Sequence, residues 1–294
     1  MRVLLAEYTR FHDPALAPEG EAMGRVLAES FQRCGHEVVL PEEGNFAAEL
    51  ERLAPSSDAA LVIAPDHLMA DFTQILEQHT RNLGCGSMVA AVCANKRLTG
   101  KILSRNGIDT PVEVTVGKKV VKPVHGCGSI GVRITEDASG EGEMGQELLE
   151  GEHLSVSLIG PHVIGEACLY YDPGPPLVLA LNRQDVRIEK GRFHYQGGET
   201  PADHHRAGEI LEVAKKTVKV LGCQGYVGVD MVCGDRITVV DVNPRITTSL
   251  IGIAAVMEEE IADLLIHGSH GKLPPQVHLE GRVRFTKEGE VTRI

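Results

Sequence analysis

Tryptophan is absent from the 294 residues, and aromatic residues of all kinds make up only 4%. The core must therefore rest on Val, Leu, Ile and Ala. Positive charge is also short: 29 Lys and Arg stand against 41 Asp and Glu, a formal net charge of −12. That argues against a general nucleic-acid binder, which needs a basic surface to neutralise phosphates. It leaves room for a nucleotide site, because a few cations can be focused in one cleft. The seven cysteines (Cys34, Cys85, Cys93, Cys127, Cys168, Cys223 and Cys233) are scattered and contain no Cys-x-x-Cys pair. They read as reduced, mostly buried thiols rather than disulfides or a zinc site. His204 and His205 are adjacent, which argues against a shared metal. No apolar run approaches the length of a membrane span, and the opening Met1–Tyr8 lacks the long apolar stretch and cleavage site of a signal peptide. The expected location is the cytoplasm.

What is present is an ordinary globular composition, 43% hydrophobic and 24% charged, long enough for two or three small domains. Val3–Ala6, Glu37–Leu40 and Ala59–Ile63 read as buried strands. Between and after them, helices are expected over Glu19–Cys34, Phe46–Leu53 and Asp71–Leu83. In the first of these, Ala22, Met23, Val26, Leu27 and Phe31 recur at helical spacing, and Gly35 marks the stop. This alternation predicts a parallel sheet with helices on its faces, over residues 1–90.

A further helix is expected over Asn95–Asn106. Val112–Val116, Lys119–Val124 and Ile130–Ile134 then suggest an antiparallel meander, followed by a solvated acidic loop over Glu136–Gly145. Strands are expected at 147–149, 154–159, 162–169 and 178–182, with a helix over Ala202–Leu221. Tyr226–Cys233 and Arg236–Val242 read as a hairpin, Ile251–Leu265 as a long helix, and Gln276–Ile294 as a hairpin turning at Lys287–Gly289. The class is α/β (α+β). A small antiparallel unit is expected over residues 91–146 and a C-terminal mixed-sheet domain over residues 147–294.

Two segments carry chemistry. In Val120–Val132, Lys122 ends a strand and is followed by Gly126, Gly128 and Gly131. Glycines let backbone N–H groups approach phosphate oxygens, and the lysine adds a mobile cation. The segment is neither a Walker A loop nor a dinucleotide fingerprint, since no Gly-Lys-Ser/Thr closes it and no long helix follows. Taken alone, a plain Gly-rich hairpin with an exposed lysine explains it equally well. The second segment places Asp230 on one strand and Asp241 and Asn243 on the next. Residues two apart on a strand share a face. Hard oxygen donors on one face suit Mg²⁺, and carboxylates within Val-rich strands are costly without a partner.

In this order the segments resemble the ATP-grasp superfamily, and the resemblance covers the whole chain. It implies an ATP-grasp fold with a small lid and a ligase using ATP and Mg²⁺, or Mn²⁺ in its place. Lys96 and Lys122 would hold nucleotide phosphates. His125, Gly126, Gly128 and Ser129 would belong to the loop covering the β- and γ-phosphates. Glu147, Leu148 and Leu149 would be the adenine hinge, and His153 would sit beside the ribose. Asp230, Asp241 and Asn243 would be the metal ligands, and Arg245 would stabilise charge on the acyl phosphate or the substrate carboxylate. Arg183 or Lys190 would supply a further cation. Two departures stand out: Asn95 occupies a position where Asp is common, and Pro111–Lys122 is too short for the usual lid helix.

Three further stretches resemble the tyramine–glutamate ligases of methanofuran-type cofactor synthesis. They are Glu7-Tyr8 with Glu19–Met23, Leu181–Gln184 with Gly197–Pro201, and Gly281–Lys287. This resemblance implies glutamate as the phosphorylated acid and tyramine or tyrosine as the attacking amine. Rival readings are a ligase for another amino acid or a peptide, and a nucleotide-binding regulatory protein without chemistry. The partners expected are small molecules rather than nucleic acid or membrane, and assembly into a homo-oligomer is left open.

Overall fold

Short apolar strands alternating with amphipathic helices close the start of the chain into a parallel sheet, as their order requires. The structure, a computed structural model, describes residues 1–126, 128–163 and 174–294, and of residues 165, 166, 169 and 170 the backbone alone. Strands β1 (Arg2–Glu7), β2 (Glu37–Val39), β3 (Ala59–Ile63) and β4 (Arg81–Asn82) lie in the order β2-β1-β3-β4, all parallel. The helices of this half are α1 (Thr9–His12), α2 (Ala17–Arg33), α3 (Phe46–Leu53), α4 (Asp66–His79), α5 (Ser87–Ala94) and α6 (Lys96–Arg105).

Helix α2 turns Ala22, Met23, Leu27 and Phe31 inward and stops before Gly35, whose φ is +77°. α3 spans the expected residues, and the Asn45 side chain caps it by accepting from the Ala48 N–H. α4 departs from expectation. It begins five residues early, directly after Pro65, and ends at His79 because Thr80 is extended and the next two residues pair with β3. α5 was not anticipated; its sequence, Ser-Met-Val-Ala-Ala-Val-Cys-Ala, has no polar face to reveal a helical period. The expected boundary at residue 90 falls inside it.

The rest of the chain builds a second, antiparallel sheet from β5 (Lys119–Pro123), β6 (Arg133–Thr135), β7 (Glu143–Glu147), β8 (Glu152–Gly160), β11 (Leu177–Glu189), β12 (Arg192–Thr200), β13 (Gly225–Cys233) and β14 (Ile237–Asn243). β9 (Gly165–Glu166) and β10 (Leu169–Tyr170) pair only with each other. The order in the large sheet is β14-β13-β8-β11-β12-β6-β5-β7, with the terminal hairpin β15 (Val283–Thr286) and β16 (Val291–Arg293) added through β12. α7 (Ala207–Leu221), α8 (Ser249–Ala254) and α9 (Ile261–Ser269) complete the fold.

Several expectations need correction here. Val112–Val116 is not a strand; Glu113 makes one bridge to Gln146, and the turn at Gly117 (φ +77°) cuts the segment short. The acidic stretch expected as a loop contributes its last residues to β7, a sheet-edge strand that has no need of an apolar alternation. β11 runs to Glu189 and returns as β12; polar and apolar residues alternate over Asp185–Glu189 and Arg192–Tyr195, beyond the strand expected at 178–182. α7 starts five residues later than expected, because residues 202–206 turn with the Arg206 N–H on His204 Nδ1. The long helix expected over Ile251–Leu265 is broken between α8 and α9, where Met257 bridges Leu279 and the Glu258 N–H donates to the His278 carbonyl. Part of the strand expected over 162–169 lies outside the described residues.

The two sheets share one core. Alternate residues of β1 face opposite ways. Val3 and Leu5 join Phe31, Ile159, Tyr226 and Phe285 between the sheets, while Leu4 and Ala6 pack outward with Phe46, Leu50 and Leu76. α7 covers the other face of the large sheet with Ile210, Ala214 and Val218. The thiols of Cys34, Cys85, Cys93, Cys223 and Cys233 are free, all buried but Cys34; Cys127 and Cys168 lie outside the described residues. Among the described residues no helix is long and apolar enough to cross a membrane.

Gly225 shows how closely the halves meet. Its φ is +60°, and a Cβ there would lie 2.4 Å from the Leu83 carbonyl oxygen. Gly225→Ala is expected to cost more than about 1 kcal/mol, because both backbone angle and contact oppose the added methyl. Thermal denaturation checks this; an unchanged midpoint would mean that the contact yields freely.

Candidate active site

The β13–β14 hairpin places Asp230 directly opposite Asp241, at a point where the register shifts. Asp230 Oδ2 accepts from Asn243 Nδ2 at 3.0 Å, and Oδ1 accepts from Gln184 Nε2 of β11 at 3.0 Å. Burial, and then the charge of Asp241, pushes the Asp230 carboxyl up to about 7. Burial also works against the charge of Asp241, but Lys96 and Lys122 outweigh it and hold that carboxyl below the usual range. The difference is one of cation supply: Lys96 Nζ lies 2.5 Å from Asp241 Oδ2, whereas neither hydrogen bond to Asp230 carries a full charge.

Lys96 stands in the first turn of α6, whose cap is Asn95, accepting from the Leu98 N–H at 3.0 Å. Its ammonium also lies 3.9 Å from Asp66, and these two carboxylates overcome burial to raise its pKa. Lys122 leaves β5 toward the hairpin and donates to the Val240 carbonyl at 2.9 Å. Burial, reinforced by Lys96, brings it down to about 8 against the pull of Asp241 and Asp230. Arg245 follows β14; its Nε donates to Asp66 Oδ1 at 2.8 Å, and its Nη1 to the Ile246 carbonyl.

All five of these sequence-predicted groups beyond the amide (Asp230, Asp241, Lys96, Lys122 and Arg245) line one cavity of about 220 Å³, as does Asn243. Gly126, Gly128 and Ser129 form part of its wall, the last two with φ of +64° and +59°. Cys127, between them, lies outside the described residues. Glu147, Leu148, Leu149 and His153 line the same cavity. Glu147 accepts from the Val112 N–H and from Arg236, and His153, edge-on to Phe193, has its pKa lowered by burial.

Residues 93–249 match the ATP-grasp domain family. The chain belongs to the ATP-grasp family. It is 36% identical over 219 residues to the tyramine–L-glutamate ligase of Methanocaldococcus fervens, covering 73% of this chain and 67% of that one. To the tyramine–L-glutamate ligase of Methanocaldococcus jannaschii it is 33% identical over 242 residues, covering 80% and 71%. A solved ATP-grasp superfamily protein from Archaeoglobus fulgidus superposes with a TM-score of 0.77 at 28% identity, covering 97% of this chain and 92% of that one. With relatives of this kind the chain is a carboxylate–amine ligase, an enzyme that forms a carbon–nitrogen bond.

Three residues named as candidates for the ATP-grasp site do not line the cavity. His125 is absent from the cavity lining. Arg183 is turned away, because it alternates with Gln184 along β11; its guanidinium meets Glu152 at 3.0 Å and Glu199 at 3.7 Å. Lys190, the alternative to Arg183, sits at the tip of the β11–β12 hairpin and does not line the cavity either. Pro111–Lys122, the stretch expected to be too short for a lid helix, contains no helix.

Sequence reasoning missed Asp66 because α4 was expected to begin after it. It missed Gln184 as a partner of Asp230, and it missed Tyr195, because the hairpin carrying both was not recognised. Tyr195 lines the cavity, and burial raises its hydroxyl pKa well above the ordinary value while a hydrogen bond to Thr248 opposes this. Thr248 in turn donates to Glu19 Oε1 of α2, tying the two halves together at the cavity wall.

Proposed function

We propose that the enzyme phosphorylates a carboxylate of L-glutamate with ATP and joins it to the amine of tyramine or tyrosine. The observation that carries this reading is the single cavity in which two lysines face two carboxylates, with Arg245 on the same wall. Identity of a third to two tyramine–L-glutamate ligases supports the choice of substrates.

The residues present fit a hard divalent cation. Among the described residues no group of three or more His, Cys, Asp and Glu could hold a metal ion. Mg²⁺ needs no such cluster: it binds through one or two carboxylates and completes its sphere with water and phosphate. Asp230 and Asp241 face each other across the hairpin, and burial first, then the charge of Asp241, raises the Asp230 carboxyl. Asp230, Asp241 and the Asn243 amide oxygen would hold the ion, which when bound neutralises phosphate charge. Lys96 and Lys122 would bind the phosphates, and Gly126, Gly128 and Ser129 would close over them. Leu148 and Leu149 give the base an apolar seat. Arg245 would hold the acyl phosphate oxygens while the amine attacks, so that the chain's part is mostly positioning and electrostatics.

Because Asp230 must lose its proton to become a ligand, metal affinity is expected to depend on pH. With a carboxyl at about 7, affinity for Mg²⁺ (or Mn²⁺) should rise about tenfold from pH 6 to pH 8 and flatten above. Calorimetric titration at three pH values checks this, and a flat profile would remove Asp230 from the ligand set.

The reaction itself is tested by incubating the protein with Mg-ATP, L-glutamate and tyramine or tyrosine, then weighing the product. The expected result is a mass equal to the two substrates less one water, with ADP and phosphate released in step. ADP release with a different amine or acid would reassign the substrates; release independent of any amine would remove the ligation step for these amines.

A further inference from the structure

The attacking amine presents a problem that the phosphate-binding residues do not solve. An alkyl amine is protonated at neutral pH, with a pKa near that of a lysine, roughly 10. Its lone pair is exposed only after a proton has left. Something in the cavity wall must receive the ammonium and take that proton. Four acidic side chains line the cavity: Glu19, Glu147, Asp230 and Asp241. Asp241 is paired with Lys96, and Asp230 holds Gln184 and Asn243. Glu147 is turned to the Val112 N–H and to Arg236, beside Leu148 and Leu149. Glu19 remains. It accepts a hydrogen bond from a neutral hydroxyl, that of Thr248.

Its position fits the task. Glu19 lines the main cavity and also a smaller one of about 40 Å³, walled by Leu16, Met23 and Ile63. Arg245 borders both cavities as well. Glu19 and Arg245 thus stand where an apolar recess opens onto the site of the acyl phosphate. A primary amine on an apolar body would leave its body in the recess and its nitrogen between the two residues.

Resting on the ligase reading above, we propose that Glu19 is the catalytic carboxylate that binds the ammonium of the amine substrate and accepts its proton. The freed lone pair attacks the acyl carbon, the C–N bond forms, and the C–O bond to phosphate breaks. The second proton of the nitrogen leaves with the departing phosphate, and Glu19 returns its own to solvent.

The test compares two nucleophiles. Hydroxylamine is uncharged at neutral pH and captures acyl phosphates as hydroxamates without needing a proton acceptor. Glu19→Gln keeps the oxygen that Thr248 bonds and removes only charge and basicity. With the alkyl amine, Glu19→Gln is expected to lose about 10²-fold in kcat/KM for the amine, with KM for ATP within a few-fold of wild type. With hydroxylamine the loss should be at least tenfold smaller, and Glu19→Asp should recover part of the amine-dependent rate. Equal losses with both nucleophiles, or an unimpaired amine-dependent rate, would overturn the assignment of Glu19. No hydroxamate from the wild-type enzyme would instead overturn the acyl-phosphate reading, and this inference with it.

Discussion

Arg245→Ala is expected to lower turnover by roughly 10²–10³-fold, while KM for ATP changes only a few-fold. The size follows from where charge appears. On the proposed reading, negative charge develops on the oxygens of the carboxylate as it takes up phosphate, and Arg245 lines the same cavity. A guanidinium already fixed there needs no reorganisation. Its fixation is visible: Nε is held by Asp66 and Nη1 by the Ile246 carbonyl, leaving the side chain only 12% exposed. Asp66, 3% exposed, is brought in by the first turn of α4, so the N-terminal sheet sets the angle of the arginine. Arg245→Lys separates charge from geometry, since an ammonium cannot keep the planar fork. It should recover only part of the rate, and retention of the native melting midpoint would exclude a folding defect. Turnover of Arg245→Ala within a few-fold of wild type would remove the electrostatic role.

The chemistry of the site was more legible in the sequence than its scaffold. Asp230, Asp241 and Asn243 were grouped because adjacent strands of a hairpin bring residues together and two apart on a strand means one face, while Arg245 followed from the family resemblance. Lys122 before three closely spaced glycines was ambiguous alone and gained its role from the order of the motifs, as the family resemblance implies. The elements around them carried weaker patterns. α5 is apolar on every side, so no period betrays it. β7 lies at a sheet edge and is polar, so it passed for a loop. The β11–β12 hairpin is the exception: it alternates over Asp185–Glu189 and Arg192–Tyr195, but the expected strand stopped at Asn182, and Gln184 and Tyr195 went unseen. Arg183 was misplaced for the same reason: without the strand, its side chain has no assigned face. Asp66 and Glu19 were harder still. Each comes from the N-terminal half and meets the site only through packing of the two sheets, a relation no local spacing encodes.

Asp241→Asn should be the most damaging single-atom change in the hairpin, lowering Mg-ATP turnover by at least about 10²-fold. Two effects coincide. One oxygen proposed as a metal ligand becomes a neutral amide, and Lys96, 9% exposed, loses the partner 2.5 Å from its ammonium. Removing one member of a buried ion pair usually costs about 3–5 kcal/mol. Here the cost should be smaller, because Asp66 lies 3.9 Å away and retains its charge. The relief of repulsion on Asp230 works in the same direction, since Asp241 is one of the two causes that raise its carboxyl. The expected outcome is therefore a folded protein with a modestly lower melting midpoint and little activity. Excess Mg²⁺ should restore part of the rate if the loss lies in metal affinity. Circular dichroism and ADP release on the same sample separate the two effects. A folded variant with full activity would remove Asp241 from the ligand set, and with it the physical reason for two facing carboxylates beside two buried lysines.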